Sequence, residues 1–101
     1  MNGEWLTITY RDFYDLPRAF VVEHHGEAFF FDCPFDEELD DYPSEFRVYR
    51  LPSNVAKQLN EGSWGGLADS GQFLGSVPVT RVQFDQSKRQ SVHSVVLAAF
   101  S

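Results

Sequence analysis

The chain has 101 residues, with fifteen acidic and eight basic side chains, a net charge of −7 and a single cysteine. This length is typical of one domain, and we interpret residues 1–101 as a single domain. Hydrophobic residues make up 43% of the chain, a content that disordered segments lack. The lone cysteine excludes an internal disulfide framework and is typical of a reducing compartment.

Neither a targeting segment nor a membrane span is predicted. The N-terminal residues include Glu4 and have no basic stretch before an apolar one, so they do not form a signal peptide. The longest apolar run, residues 95–100, is far shorter than the ~20 residues needed to cross a bilayer. We therefore expect a cytoplasmic protein that does not contact a membrane.

The acidic side chains are concentrated in the first half of the chain. Residues 1–46 contain twelve acids and two bases, whereas residues 47–101 contain three acids and six bases. Nucleic acids and anionic membranes are bound mainly through Lys and Arg, so the acidic half would repel both. A basic protein partner would be attracted by this charge distribution; the alternative is that the acids only keep the chain soluble and partly pair with the later arginines.

Four β-favouring segments in the first half predict antiparallel strands. Residues 5–10 alternate apolar and polar side chains, as a half-buried strand does. Residues 18–23 and 28–33 flank a turn in which Gly26 can supply the positive φ of a tight hairpin. Residues 44–52 predict the fourth strand, which ends at a proline.

The second half of the chain predicts fewer strands and two helices. A short helix capped by Ser53 and closed by Gly62 precedes an irregular stretch, residues 60–76. Residues 77–84 predict a fifth strand. A C-terminal helix is expected to begin between residues 85 and 88, where the spacing of Ser and Gln fits a capping box. Its apolar stripe consists of Val92, Val95, Val96, Ala99 and Phe100.

Together these elements predict an α+β fold that is mainly β. We expect an antiparallel five-stranded curled sheet or small open barrel, with the C-terminal helix packed on it and one short helix after strand 4. The continuous apolar run at 28–31 predicts a central strand covered on both faces. The predicted core consists of Leu6, Ile8, Phe20, Val22, Phe29, Phe31, Phe46, Val48, Val79, Val96 and Phe100.

The most acidic segment, PFDEELDDYP at residues 34–43, connects a buried strand to the next one. Phe35, Leu39 and Tyr42 share one helical face, which predicts one or two loose turns anchored on the sheet, with the acids in solvent. We interpret these acids and two aromatic residues as the partner-binding set: Asp36, Glu37, Glu38, Asp40, Asp41, Tyr42 and Trp64.

Catalytic and metal-binding patterns are weak. The hairpin register predicts Cys33 opposite Arg18, about 20 Å from the histidines of the turn, so Cys33 is expected to be buried and inert. His24 and His25 are adjacent, and neighbouring strand residues point to opposite faces, which argues against a shared metal. The acidic segment lacks the glycine of a calcium-binding EF-hand loop. We therefore predict no catalytic residue, metal or cofactor.

The leading hypothesis is a non-catalytic protein-binding module that recognises a basic partner, one form of which is an inhibitor or immunity-type protein. The alternative is a small hydrolase or metal-dependent enzyme that uses the acids of residues 32–41. A third possibility is an accessory domain whose partner surface is the glycine-rich loop around Trp64.

Overall fold

The computed structural model describes residues 4–11, 13–52, 54 and 66–100. Within these residues the chain forms a mainly β fold with few helices. The strands are β1 (Trp5–Tyr10), β2 (Ala19–His24), β3 (Glu27–Asp32), β4 (Glu45–Leu51), β5 (Gln72–Pro78) and β6 (Ser91–His93). The helical elements are α1 (Leu67–Ser70) and two 3-10 helices, Val79–Arg81 and Ser94–Phe100.

The six strands form one open antiparallel sheet in the order β5-β4-β3-β2-β1-β6. The first five strands are therefore neighbours in chain order, and β6 returns to the free edge of β1. The first half of β1 pairs with β6, with Leu6 opposite Val92, while its second half pairs with β2, with Ile8 opposite Val22. The predicted class is confirmed, but the sheet has one strand more than expected.

The β2–β3 hairpin has the predicted register. His24 lies opposite Glu27, and the Cys33 N–H donates to the Arg18 carbonyl at 2.7 Å, so Cys33 stands opposite Arg18. The turn residues His25 and Gly26 have φ values of 53° and 79°. Two successive positive φ values match the twist of the flanking strands, which is why such a turn closes a two-residue hairpin.

The sheet has an apolar core on each face. One face carries the large phenylalanines Phe20, Phe29, Phe31 and Phe46, and the other packs Phe30 of β3 with residues that include Leu67 of α1. Strand β3 is thus covered on both faces, as its continuous apolar run predicts. Eight of the predicted core residues are buried, and three are only partly buried: Leu6, Val79 and Phe100.

The predicted fifth strand, residues 77–84, is misplaced, because β5 begins five residues earlier, inside the stretch interpreted as irregular. Gly71, just before β5, and Gly75, within it, require glycine for two different reasons. A Cβ at Gly71 would lie 2.9 Å from the Tyr49 Cβ, and Gly75 has φ +151°, which L side chains rarely adopt. The β4–β5 register also shifts between Val48 and Tyr49, so β5 carries a bulge there.

The predicted C-terminal helix starting at residues 85–88 is wrong. The Asp85 carboxylate accepts hydrogen bonds from the Gln90 and Ser91 N–H groups at 3.2 and 3.1 Å, which closes a turn. Lys88 in this turn has φ +59°, outside helical geometry. The chain then forms β6 and a 3-10 helix, in which Val95 is 49% exposed and Leu97 only 1%. Val95 is therefore not part of a buried apolar stripe, contrary to the prediction.

Asp85 also makes the turn sensitive to acid. The Ser87 hydroxyl and the N–H groups of residues 91, 90 and 87 lower the pKa of Asp85 from 3.8 to about 2. Because the folded pKa is depressed, its contribution to stability is complete above about pH 4 and is lost as the pH falls towards 2. We expect its carboxyl carbon to titrate with a midpoint near 2 by NMR. The Asp85→Asn variant should lose less stability than the wild type between about pH 4 and pH 2. A midpoint at the ordinary value would contradict this.

Two sequence predictions concern regions of which the structure describes little. The short helix predicted between Ser53 and Gly62, and the candidate residue Trp64, lie outside the described residues apart from Asn54. In the part of the chain that is described, no helix has the length and apolar character needed to cross a membrane.

Candidate functional site

The acidic turn, residues 36–41, is a tight reversal of the chain and not the loose helical turns predicted. Asp36 and Asp41 each donate their N–H to the other's carbonyl, at 2.9 and 3.3 Å. The Asp40 N–H donates to the Glu37 carbonyl at 3.3 Å, and Asp40 has φ +52°. Aspartate tolerates this left-handed conformation better than most residues. A left-handed residue at position 40 breaks the right-handed helical geometry that the predicted turns would need.

The three apolar side chains of the segment do not all anchor it, contrary to the prediction. Phe35 is 49% exposed and Leu39 is 61% exposed, while Tyr42 is half-buried. The helical phase that would have placed all three against the sheet does not exist in a tight turn. The segment therefore presents apolar side chains to solvent beside its carboxylates.

Tyr42 is the centre of an aromatic cluster, which we define as Tyr14, Phe35 and Tyr42. Its ring lies 5.6 Å from that of Tyr14 and 5.3 Å from that of Phe35. Tyr14 is 71% exposed and comes from the connection between β1 and β2. Tyr14 is not among the residues predicted from the sequence, because nothing local in the sequence indicates which distant loop packs against the acidic turn.

Arg18 packs against the ring of Tyr42 in the aromatic cluster. It is buried, and its guanidinium carbon lies 4.5 Å from the centre of the Tyr42 ring. Its Nη2 donates to both carboxylate oxygens of Asp15, at 2.7 and 2.8 Å. Burial opposes ionisation of Asp15, but these hydrogen bonds and the charge of Arg18 lower the pKa of Asp15. Arg18 thus ties the β1–β2 connection to the acidic turn.

Cys33 contacts Arg18 and is fully buried, as predicted. Its thiol donates to the Pro43 carbonyl at 3.3 Å and accepts a 3.6 Å hydrogen bond from Arg18. Burial raises the pKa of the Cys33 thiol, although the neighbouring guanidinium opposes the shift. A buried thiol with a raised pKa packs as a small apolar group and is a poor nucleophile.

An open cleft of about 760 Å³ lies between the acidic turn and strands β4 and β5. Its described lining residues include neither histidine nor cysteine. Arg47 is the one basic residue among them, and Phe35 connects the cleft to the aromatic cluster. Five acidic residues line it: Asp32, Asp36, Glu37, Glu38 and Glu45. A cleft of this charge suits a cationic side chain.

Two of the five predicted acids stabilise the turn through hydrogen bonds of their side chains. Asp36 and Asp41 shape the turn, since Asp36 Oδ1 accepts from the Glu38 N–H at 2.9 Å and Asp41 Oδ1 accepts from the Tyr42 N–H at 2.7 Å. Glu37, Glu38 and Asp40 are exposed. The acidic turn, the aromatic cluster and the cleft thus form one continuous surface, which we call the acidic–aromatic surface.

Comparison with known proteins assigns no family to this chain: no family model, curated protein or solved structure matches it. The function must therefore be inferred from the chemistry of the acidic–aromatic surface.

Proposed function

We propose that this chain is a protein-binding module that recognises a basic partner through the acidic–aromatic surface. The observation that carries the proposal is the placement of the exposed rings of Tyr14 and Phe35 beside the carboxylates of the acidic turn. Guanidinium and ammonium groups are attracted both to carboxylates and to the faces of aromatic rings. A surface with both features suits Arg and Lys side chains of a partner.

The charge of the first 46 residues supports the same proposal. A field of one sign around a cleft raises the local concentration of oppositely charged partners and accelerates their association. Glu37 and Glu38 line the cleft and are exposed, so their charges contribute mainly to the association rate. The rings of the aromatic cluster supply the apolar contact area that lengthens the life of the complex.

An inhibitor or immunity-type protein that covers a basic nuclease is one form of this proposal, because such a partner combines strong positive charge with a need for tight neutralisation. No described feature favours the alternative of a hydrolase that uses residues 32–41. Paired-carboxylate catalysis requires one carboxyl in dry surroundings. In the acidic turn Glu37 and Glu38 are exposed, and Asp36 is engaged by backbone N–H groups.

The aromatic cluster provides the test of the proposal. Wild-type protein on a resin should retain basic proteins from a native lysate at low salt and release them at high salt, because salt screens the attraction over ~10 Å at 0.1 M. The double variant Tyr14→Ser/Phe35→Ser should lose this retention with the charge unchanged. Phe73→Ser is the matched control, since Phe73 is an exposed phenylalanine on β5 that belongs neither to the aromatic cluster nor to the lining of the cleft.

Mass spectrometry of the retained proteins should identify partners with isoelectric points above about 9. Retention that is the same for wild type and the Tyr14/Phe35 variant, or the absence of any salt-sensitive basic protein, would contradict the proposal.

A further inference from the structure

Three metal-ligating side chains meet at the tip of the β2–β3 hairpin: Glu4, His24 and His25. Each offers one ligand atom, and these atoms all lie within 4.8 Å of one another. His24 Nδ1 and Glu4 Oε1 are 3.8 Å apart. The group lies at the opposite end of the hairpin from Cys33 and the acidic turn, so it is independent of the proposed function.

Glu4 is brought to this place by the sheet. Ile8 lies opposite Val22, and the same antiparallel register places Glu4 beside the hairpin tip. The backbone of Glu4 is fixed by two hydrogen bonds: its N–H donates to the Ser94 hydroxyl and its carbonyl accepts from the Ser94 N–H, both at 2.8 Å. Because residues two apart share a face of a strand, Glu4 points to the same side as Ile8, and His24 to the same side as Val22.

His25 joins them because of the turn. From the sequence, His24 and His25 are predicted to point to opposite faces, as neighbouring strand residues do. His25 instead occupies the turn with φ 53°, and its side chain lies on the same side as that of His24. The two imidazole rings stack with their centres 3.8 Å apart and their planes 25° from parallel. The expected separation of these histidines is therefore wrong.

We propose that Glu4, His24 and His25 bind a borderline transition-metal ion, of which Zn²⁺ is the representative. Two imidazole nitrogens and one carboxylate oxygen are the ligands of three-residue zinc sites, whereas Ca²⁺ and Mg²⁺ prefer sets made only of oxygen. Zn–N and Zn–O bonds of about 2.0–2.2 Å bring ligand atoms to roughly 3.3 Å from each other. To reach that spacing, the stacked rings of His24 and His25 must rotate so that one nitrogen of each points at the ion, and the three ligand atoms, which lie within 4.8 Å of one another, must move closer together.

The burial of the three side chains defines the character of the site. The side chain of His24 is 18% exposed and Glu4 is 61% exposed, and His25 is also exposed. The half-buried His24 anchors the ion on the sheet, and the two exposed ligands can adjust to it. One side of the ion faces solvent, so water completes the coordination and exchanges freely.

The site is tested by titrating Zn²⁺ into the chain prepared without a histidine tag, with calorimetry and NMR of the histidine ring signals. The chain has three histidines, and His93 is the internal control, because it lies on β6 and outside the cluster. We expect the His24 and His25 signals to shift and saturate together, while the His93 signals stay unchanged. We also expect Zn²⁺ to raise the melting temperature, since it binds the folded chain.

Three variants and a control assign the ligands. His24→Gln and His25→Asn should each weaken Zn²⁺ binding at least about tenfold, since even residues that only orient a ligand cost that much. Asparagine tolerates the positive φ of residue 25, so His25→Asn keeps the turn and remains informative if His24→Gln folds poorly. Glu4→Gln should weaken binding as well, and His93→Gln should leave it unchanged.

Two results would overturn the site: Zn²⁺ affinity that is the same in His25→Asn as in the wild type, or no binding up to about 1 mM, a range in which even weak metal sites of proteins are occupied.

Discussion

Phe20→Ala should lower the free energy of unfolding by about 3–5 kcal/mol, the range for removing a buried phenylalanine. Phe20 is fully buried, and its ring stacks on Phe31 with centres 4.7 Å apart. The rings of Phe46 and Phe84 approach it edge-on, each at 5.5 Å. The substitution therefore removes three aromatic contacts and leaves a cavity between β2, β3 and β4. Such a loss is a large part of the total stability of a domain, which is about 5–15 kcal/mol.

Urea denaturation followed by fluorescence measures this loss, and two further variants calibrate it. Phe29→Ala should cost about 3–5 kcal/mol as well, because Phe29 is 1% exposed on the same face of the sheet. Phe73→Ala should cost less than about 1 kcal/mol, because Phe73 is 56% exposed. An unchanged denaturation midpoint for Phe20→Ala would contradict the described packing of this face.

Neutralising the acidic turn should slow association with a basic partner substantially and leave the fold intact or slightly more stable. The change is Asp→Asn or Glu→Gln at five positions: Asp36, Glu37, Glu38, Asp40 and Asp41. Asparagine keeps the side-chain oxygen that accepts backbone N–H groups at residues 36 and 41, and it tolerates the positive φ at residue 40. The loss is therefore one of charge alone, which acts mainly on the association rate.

Stopped-flow association at several ionic strengths measures the effect, using a basic protein retained in the lysate experiment. The neutralised variant should show both slower association and a shallower dependence on salt than the wild type. A smaller matched pair separates local from overall charge. Glu37→Gln/Glu38→Gln should slow association more than Glu23→Gln/Asp69→Asn, which removes the same charge from exposed sites elsewhere. Identical rates and salt slopes would show that the acids of the turn serve only solubility.

Features that depend on near neighbours in the chain could be predicted from the sequence. The β2–β3 hairpin, its register and the positive φ of Gly26 follow from two β-favouring runs around a glycine turn. The burial of β3 on both faces follows from its unbroken apolar run, and that of Phe46 and Val48 from alternation along β4. These signals are local because hairpin pairing and strand alternation involve residues close in sequence.

Features that depend on contacts between distant segments were decided only by the tertiary structure. The glycines at 71 and 75 are signals of a loop when considered alone, yet Gly71 allows the chain to approach β4 closely and Gly75 supplies a positive φ within β5. The capping pattern after Asp85 is compatible with a helix or a turn, and pairing of β6 with β1 selects the turn. Local preferences of this kind differ by about 1 kcal/mol or less, so pairing with a distant strand overrides them.

The same limit applies to both candidate sites. Composition and spacing identified the acids of the turn, but Tyr14 joins them only because Arg18 ties its loop to Tyr42. His24 and His25 were visible in the sequence, but their convergence with Glu4 depends on a turn conformation and on the β1–β2 register. A sequence determines which side chains are present and how they alternate along a strand. Which of them meet is determined by the packing free energy of the whole sheet, to which every strand contributes.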